Sequence, residues 1–173
     1  MEMEKLKLRK NRLFSLLASL VILMGCSPQT MDAEFYKHYL GVDILPLKEV
    51  FSYKEESAPG EGFSYTIIQY KNEGKLDFKK GYPIKDEYKQ NWKVSEWKET
   101  PAIDNEKDFD IIFKYSINDK KIRTKIDEIK DIMKKKGNYY CYYYKKSSDY
   151  VESINLYIID VEAKTLHVFN IET

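Results

Sequence analysis

The chain has 173 residues, with 29 basic and 28 acidic side chains, and its formal net charge at pH 7 is +1. A chain so close to neutrality has no field that would steer it toward nucleic acid or an anionic bilayer. Its two cysteines, Cys26 and Cys141, exclude a disulfide-rich scaffold, so the fold must be stabilised by an apolar core.

The first 25 residues have the parts of a secretory signal. Five basic side chains precede an apolar run from Leu13 to Met24, and the small Gly25 follows. As a helix this run would reach about 18 Å, whereas a bilayer core of about 30 Å requires about twenty residues, so the run is too short to span. Removing this leader, with its five basic and two acidic residues, leaves 148 residues of net charge −2. That length suits one domain.

A cysteine follows the leader directly. Leu23-Met24-Gly25-Cys26 resembles the lipobox of bacterial lipoproteins, which is an aliphatic residue, a variable residue, Gly or Ala, and then Cys. The resemblance implies diacylglycerol on Cys26, cleavage before it and acylation of the new amine, with palmitate as a typical chain. Two or more acyl chains, at about 0.8 kcal/mol per buried methylene, hold a protein stably on a membrane. The alternative is an uncleaved or conventional signal in which Cys26 is incidental.

The residue after the cysteine bears on the location. Ser27 rather than Asp stands there, which in a two-membrane bacterium resembles a lipoprotein sent to the outer membrane. In a one-membrane cell the same protein would lie on the outer face of the cell membrane. We therefore predict a lipid-anchored protein that faces away from the cytoplasm, with a signal over 1–25, a lipidated tether over 26–30 and a single domain over 31–173.

The domain is predicted to open with a helix and a long hairpin. Residues 32–40 have helical spacing, and Gly41 is placed to end the helix. Residues 47–53 alternate as a half-buried strand, with Leu47, Glu49, Phe51 and Tyr53 on one face. Residues 63–70 are predicted to be a second strand because their residues have a strong β preference. The segment between them is rich in acids and turn formers and is predicted to be a loop.

The middle of the chain is less regular. Residues 76–99 indicate a surface excursion with one helical turn around 86–91, and Trp92 to Trp97 fits no single pattern. Residues 105–115 fit a helix or a strand, and Asn105 as a cap with acids in the first turn favours the helix. Residues 121–136 predict a helix, whose apolar stripe is Ile122, Ile126, Ile129 and Met133.

Three strands are predicted in the last third, over 139–145, 153–160 and 165–171, and short polar connections make them an antiparallel meander. The resulting fold class is α+β: a single domain with a mainly antiparallel sheet of about five strands and with helices packed on one face.

Several short motifs line up with a known family. They are residues 39–43, 60–62, 97–101, 138–140 and the tail from 157. The chain resembles a family of small uncharacterised proteins from Gram-positive gut bacteria, whose members have a Gly-rich loop, a W-x-x-L-P segment, a GYYF strand and a C-terminal YD…LYYYELDT hairpin. Here the loop lacks the family's two histidines, and Thr100 replaces the leucine before Pro101. The resemblance implies architecture and no activity.

Residues that could carry chemistry are few. His38 and His167 have no second His or Cys at metal-ligand spacing, so we expect ordinary histidines and no metal. Glu55, Glu56 and Glu61 could collect Ca²⁺ or supply a pair of carboxylates for glycoside hydrolysis, but a solvated hairpin tip is the simpler interpretation.

The run Tyr139-Tyr140-Cys141-Tyr142-Tyr143-Tyr144 places aromatic rings on both faces of a strand. One face must be core. The other could be a platform for a partner or a sugar, although coverage by a helix is favoured. Cys141 is expected to be a small buried hydrophobe. Arg123 is the only arginine after the leader, which counts against nucleic-acid binding.

These observations predict a membrane-anchored, non-enzymatic binding or interaction module at the cell envelope. We predict no catalytic residue, cofactor or metal, and partners limited to the membrane, through Cys26, and an unidentified protein or carbohydrate. One alternative is a small envelope hydrolase that uses the acids of residues 55–61. Another is an immunity-type protein that blocks a toxin or a phage at the envelope.

Overall fold

A computed structural model describes residues 33–58, 61–72, 74–85, 87–102, 109–114, 119–148 and 150–172. The described residues all belong to one compact unit. The predicted leader, Cys26 and the tether lie outside them.

Six strands form one antiparallel sheet in the order β1-β2-β6-β5-β4-β3. Their bounds are Leu45–Ala58 (β1), Glu61–Lys71 (β2), Lys93–Glu99 (β3), Tyr139–Ser147 (β4), Tyr150–Asp160 (β5) and Thr165–Glu172 (β6). The mainly antiparallel sheet, the β1–β2 hairpin and the C-terminal meander are confirmed. β1 and β3 are the edge strands, because each pairs with only one neighbour.

Two details of the predicted sheet are wrong. The sheet has six strands rather than about five, since residues 93–99 pair with β4 as an edge strand. The predicted acidic loop is mostly strand, because β1 continues to Ala58 and β2 begins at Glu61. Both segments are polar, so pairing with a neighbour decides their conformation more than their own propensity does.

The helices are Ala33–His38 (α1), Asp110–Lys114 (α2) and Lys120–Lys134 (α3), with a 3₁₀ turn at Glu87–Lys89. The favoured helix in 105–115 is therefore confirmed over 110–114; residues 105–108 and 115 lie outside the description. Asp119 caps α3 by accepting hydrogen bonds from the N–H groups of Lys121 (2.7 Å) and Ile122 (3.4 Å). After α1, Gly41 adopts a φ of +66°, and the ring of Tyr82 occupies the position that a Cβ would need.

Buried apolar side chains form two cores. The first core joins β2, β4, β5 and β6 to α2 and α3, and consists of Phe63, Tyr65, Ile67, Phe109, Ile112, Ile122, Ile126, Ile129, Met133, Tyr140, Tyr142, Ile154, Leu156, Ile158, Phe169 and Ile171. The second joins the same strands to α1 and to segments beside it, and consists of Tyr36, Leu40, Val42, Ile44, Ile68, Tyr70, Leu76, Cys141, Tyr143, Tyr157, Ile159 and Leu166. Alternate residues of each strand enter different cores, so the two cores lie on opposite faces of the sheet.

Candidate functional site

The residue predicted to carry lipid, Cys26, lies outside the described residues. Among those that are described, none of the helices combines the length and the apolar character needed to cross a membrane.

The two histidines occupy different settings. His38 is exposed at the end of α1, with its ring packed edge-on against Tyr39. His167 is buried in β6, where its Nδ1 is 2.9 Å from the hydroxyl of Tyr65 and its Nε2 is 3.0 Å from the hydroxyl of Thr165. Burial away from water lowers the pKa of His167 to about 4. A neutral ring with both nitrogens engaged serves the packing of the sheet.

The tyrosine-rich strand is covered on both sides. Tyr140 and Tyr142 are buried in the first core, where the ring of Phe109 lies 5.8 Å from each. Cys141 and Tyr143 are buried in the second core. The favoured interpretation, coverage, is thus confirmed over an exposed platform. Burial also raises the pKa of the Cys141 thiol, which suits the predicted small hydrophobe and not a nucleophile.

The acids of the hairpin lie at the ends of strands beside a shallow depression of about 110 Å³. Glu55 accepts a hydrogen bond from the Tyr53 hydroxyl at 2.8 Å. Glu56 forms an exposed ion pair with Lys54, and the hydrogen bond from that lysine lowers the pKa of Glu56. A carboxyl held ionised in this way is unsuited to act as a general acid. Within the described part of the chain, no group of three or more His, Cys, Asp or Glu residues could hold a metal ion.

Gly62 forms part of the lining of this depression, and the local backbone explains why a glycine stands there. A Cβ at position 62 would lie 2.6 Å from the carbonyl oxygen of Glu55, too close for any side chain. The strand pairing places Gly62 between Glu56 and Glu172, on the face of the sheet that carries the second core. The missing side chain therefore opens a gap between two carboxylates.

A pair of amides lies next to the same depression. Asn170 is part of its lining and donates a hydrogen bond of 3.0 Å to the side-chain oxygen of Asn155. Asn155 is only 6% exposed, and its side-chain nitrogen has no hydrogen-bond partner among the described residues. This polar spot lies where the second core ends along β5 and β6.

A second depression, of about 340 Å³, lies at the other end of the hairpin. It is lined by Asp43, Leu45, Lys71, Asn72, Gly74 and Lys75. Leu45 pairs with Lys71 there, whereas Glu56 pairs with Gly62 at the first depression. The outer strand β1 thus runs between two depressions.

The outer strand β1 also carries exposed apolar side chains. Leu45, Leu47 and Val50 are 54%, 55% and 49% exposed, and they are three of the five large hydrophobic residues exposed in the described chain. Leu47 and Val50 are extra residues at two β-bulges, between Pro46 and Lys48 and between Glu49 and Phe51.

These bulges correct the predicted alternation of β1. Glu49 pairs with Ile68, a residue of the second core, whereas Phe51 and Tyr53 pack against the first. Leu47 and Glu49 therefore do not share one buried face with Phe51. A proline and adjacent charges inside an apolar strand are the sequence signal of an edge, and they were available in Leu45-Pro46-Leu47-Lys48-Glu49.

Comparison with known proteins gives no relative from which a role could be carried over: no family model, no curated protein and no solved structure matches this chain.

Proposed function

We propose that the protein is a lipoprotein, anchored through Cys26 on the side of a membrane that faces away from the cytoplasm, and that its domain is a non-enzymatic interaction module of the cell envelope. The observation that carries the interaction role is the outer strand β1, whose exposed Leu45, Leu47 and Val50 stand at the edge of the sheet that the described strands form. Edge strands of this kind accept a further strand.

The anchor is supported by the motif and by arithmetic. Leu23-Met24-Gly25-Cys26 has the lipobox order and follows an apolar run that is too short to span a bilayer. Two or more acyl chains on one cysteine give stable attachment, whereas one chain is marginal. Localisation at the cell membrane or the outer membrane follows from this proposal.

A binding role fits the surroundings of the groups that could carry chemistry. His167 and Cys141 are engaged in packing, and Glu56 is held ionised by Lys54. The hydrolase alternative needs two facing carboxylates with a raised pKa on one of them, and the lowered pKa of Glu56 does not favour it. An immunity-type protein would be one case of the interaction module.

We also propose that two of the helices cover one face of the sheet. The buried side chains of α2 and α3 belong to the first core, so these two helices would cover one face of the sheet. The single domain over 31–173 and the likeness to the Gram-positive family belong to the same proposal.

The anchor is tested by feeding cells labelled palmitate and separating their membranes. The wild type should carry the label and require detergent for extraction, whereas Cys26→Ala should carry none. Cys141→Ala is the matched control, since it removes the only other cysteine and should keep the label. A wild-type protein that is unlabelled and retains residues 1–25 by mass would refute the anchor.

The interaction surface is tested with a photo-crosslinking amino acid at Leu47 and, as a control, at Val161. Both positions are exposed and apolar, but Val161 lies in the turn after β5. Crosslinked products should form from Leu47 and not from Val161. Equal yields from the two positions would contradict a role for β1.

A further inference from the structure

We propose that β1 pairs with β1 of a second copy of this chain, antiparallel and about a two-fold axis at Ser52, so that two sheets join edge to edge. The inference rests on the interaction surface proposed above and not on the anchor at Cys26.

The strand is long enough for such a contact. β1 has 14 residues, and among the described strands it pairs with β2 alone. Phe51 and Tyr53 lie on this edge strand and are half-buried against the first core. Pairing with another strand would cover these rings and satisfy the outward backbone groups.

Symmetry restricts the register. In an antiparallel pair with a two-fold axis perpendicular to the sheet, residues at equal distances from the axis lie opposite one another and point to the same face. Distances along β1 are counted on its partner β2, so that one step corresponds to one residue of β2. Leu47 and Val50 are bulge residues and add no step.

The count gives complementary partners when the axis passes through Ser52. Phe51, Glu49 and Lys48 lie one, two and three steps from Ser52 in one direction. One, two and three steps in the other direction lie Tyr53, Lys54 and Glu55. In the dimer, Phe51 of each copy would therefore face Tyr53 of the other. At the next two steps Glu49 would face Lys54 and Lys48 would face Glu55, and both pairs combine an acid with a base. By symmetry each pair occurs twice, and such cross-strand pairs stabilise a sheet.

Neighbouring registers lack this complementarity. With the axis at Tyr53, Glu49 would lie opposite Glu56, which is repulsive. With the axis at Phe51, Glu49 would lie opposite Ser52, and no pair of opposite charges forms. Axes at the charged residues place a like charge opposite itself; these residues are Lys48, Glu49, Lys54, Glu55 and Glu56.

β1 carries a proline, charges and bulges, which are features that protect sheet edges, but the extra residue at each of the two bulges is apolar. Protective residues at an edge are typically charged or proline. The extra residues here are Leu47 and Val50, and both expose about half of their surface. In this register Val50 would lie opposite the step between Tyr53 and Lys54 of the second copy, so the bulge would add local twist at both symmetric positions.

The first test is a disulfide on the axis. With Ser52→Cys in the full chain, extracted from membranes in detergent and oxidised, the two Cα atoms would lie roughly 4.5–5.5 Å apart, within the range of a disulfide. Ser64→Cys is the matched control, since Ser64 points to the same face but lies on β2, opposite Lys54. We expect a reducible band of twice the chain mass for Ser52→Cys and none for Ser64→Cys. Equal crosslinking of the two variants, or a product of another mass, would overturn the proposal.

The second test reverses the charges of one exposed pair. Glu49→Lys and Lys54→Glu should each weaken dimerisation roughly ten-fold, since two pairs per dimer become repulsive. The double variant should recover most of the wild-type affinity, measured by sedimentation velocity in detergent. A wild type that sediments as a monomer, or a double variant no better than the singles, would refute the dimer. Palmitate labelling and the Leu47 crosslinks report separately on the anchor and the surface, so either proposal can fail alone.

Discussion

Strands β5 and β1 have similar backbone conformations but opposite surroundings. In β5, seven consecutive residues from Ser153 to Ile159 are buried, with β4 on one side and β6 on the other. In β1, by contrast, Leu45, Leu47 and Val50 are about half exposed, and β2 is the one described strand that pairs with it. The difference teaches that position in the sheet decides whether an apolar strand residue is buried and stabilises the fold or stays exposed.

The largest expected contrast is between two leucine truncations. Leu156→Ala removes a side chain with no exposed surface from the centre of β5 and should lower the free energy of unfolding by about 3–5 kcal/mol, through lost burial and a cavity. Leu47→Ala is the matched change on β1 and should alter it by less than about 0.5 kcal/mol. Urea titrations followed by tryptophan fluorescence measure both. Similar losses at the two positions would break the contrast between centre and edge.

A smaller effect is expected from pH, through the buried histidine. The folded His167 has a pKa of about 4, whereas an unfolded chain titrates near the ordinary 6.5. Between these values the unfolded chain binds the proton and the folded one does not, so the free energy of unfolding should fall as the pH drops through this window, by about 3 kcal/mol in total.

The measurement is the free energy of unfolding at steps from pH 7 to pH 5, where most carboxyls stay ionised. His167→Gln should remove much of the slope. His38→Gln should keep it, because His38 is exposed and is the only other histidine. If the slopes of the wild type and His167→Gln are identical, His167 is not the group responsible.

The smallest expected effect compares two tyrosine hydroxyls. Tyr65→Phe removes the hydroxyl that lies 2.9 Å from Nδ1 of His167, leaves a buried ring nitrogen without that partner, and should cost about 1–3 kcal/mol. Tyr53→Phe removes a hydroxyl that donates to Glu55 on β1, where water can replace it, and should cost less than about 1 kcal/mol. Thermal or urea unfolding of the two variants measures both losses of stability. A larger loss for Tyr53→Phe than for Tyr65→Phe would contradict the contrast between the centre and the edge of the sheet.

Local patterns predicted most of the elements. The stripe of Ile122, Ile126, Ile129 and Met133 predicts α3 because residues three and four apart share a helix face, and all four are buried. β-branched and aromatic residues predict β2, and three such runs joined by short polar connections predict the meander. β3 was missed because its run carries Lys93, and because a shift of register after Ser95 interrupts the alternation.

The candidate surface could not be predicted as a surface. The sequence shows Leu47 and Val50 as ordinary apolar residues of a strand, and only the pairing with β2 reveals both as bulge residues. Likewise, nothing local connects His167 to Tyr65, because 102 residues separate them in the chain.

By itself, the sequence of this protein predicts a leader over 1–25 followed by Cys26, and it determined an α+β composition and a chain with too few cysteines for a framework of disulfides. The tertiary structure alone decided that β6 inserts between β2 and β5, and that β1 is left at the edge. The reason is physical: propensity and periodicity act over a few residues, whereas the order of strands is set by which distant segments can bury both faces of one sheet together.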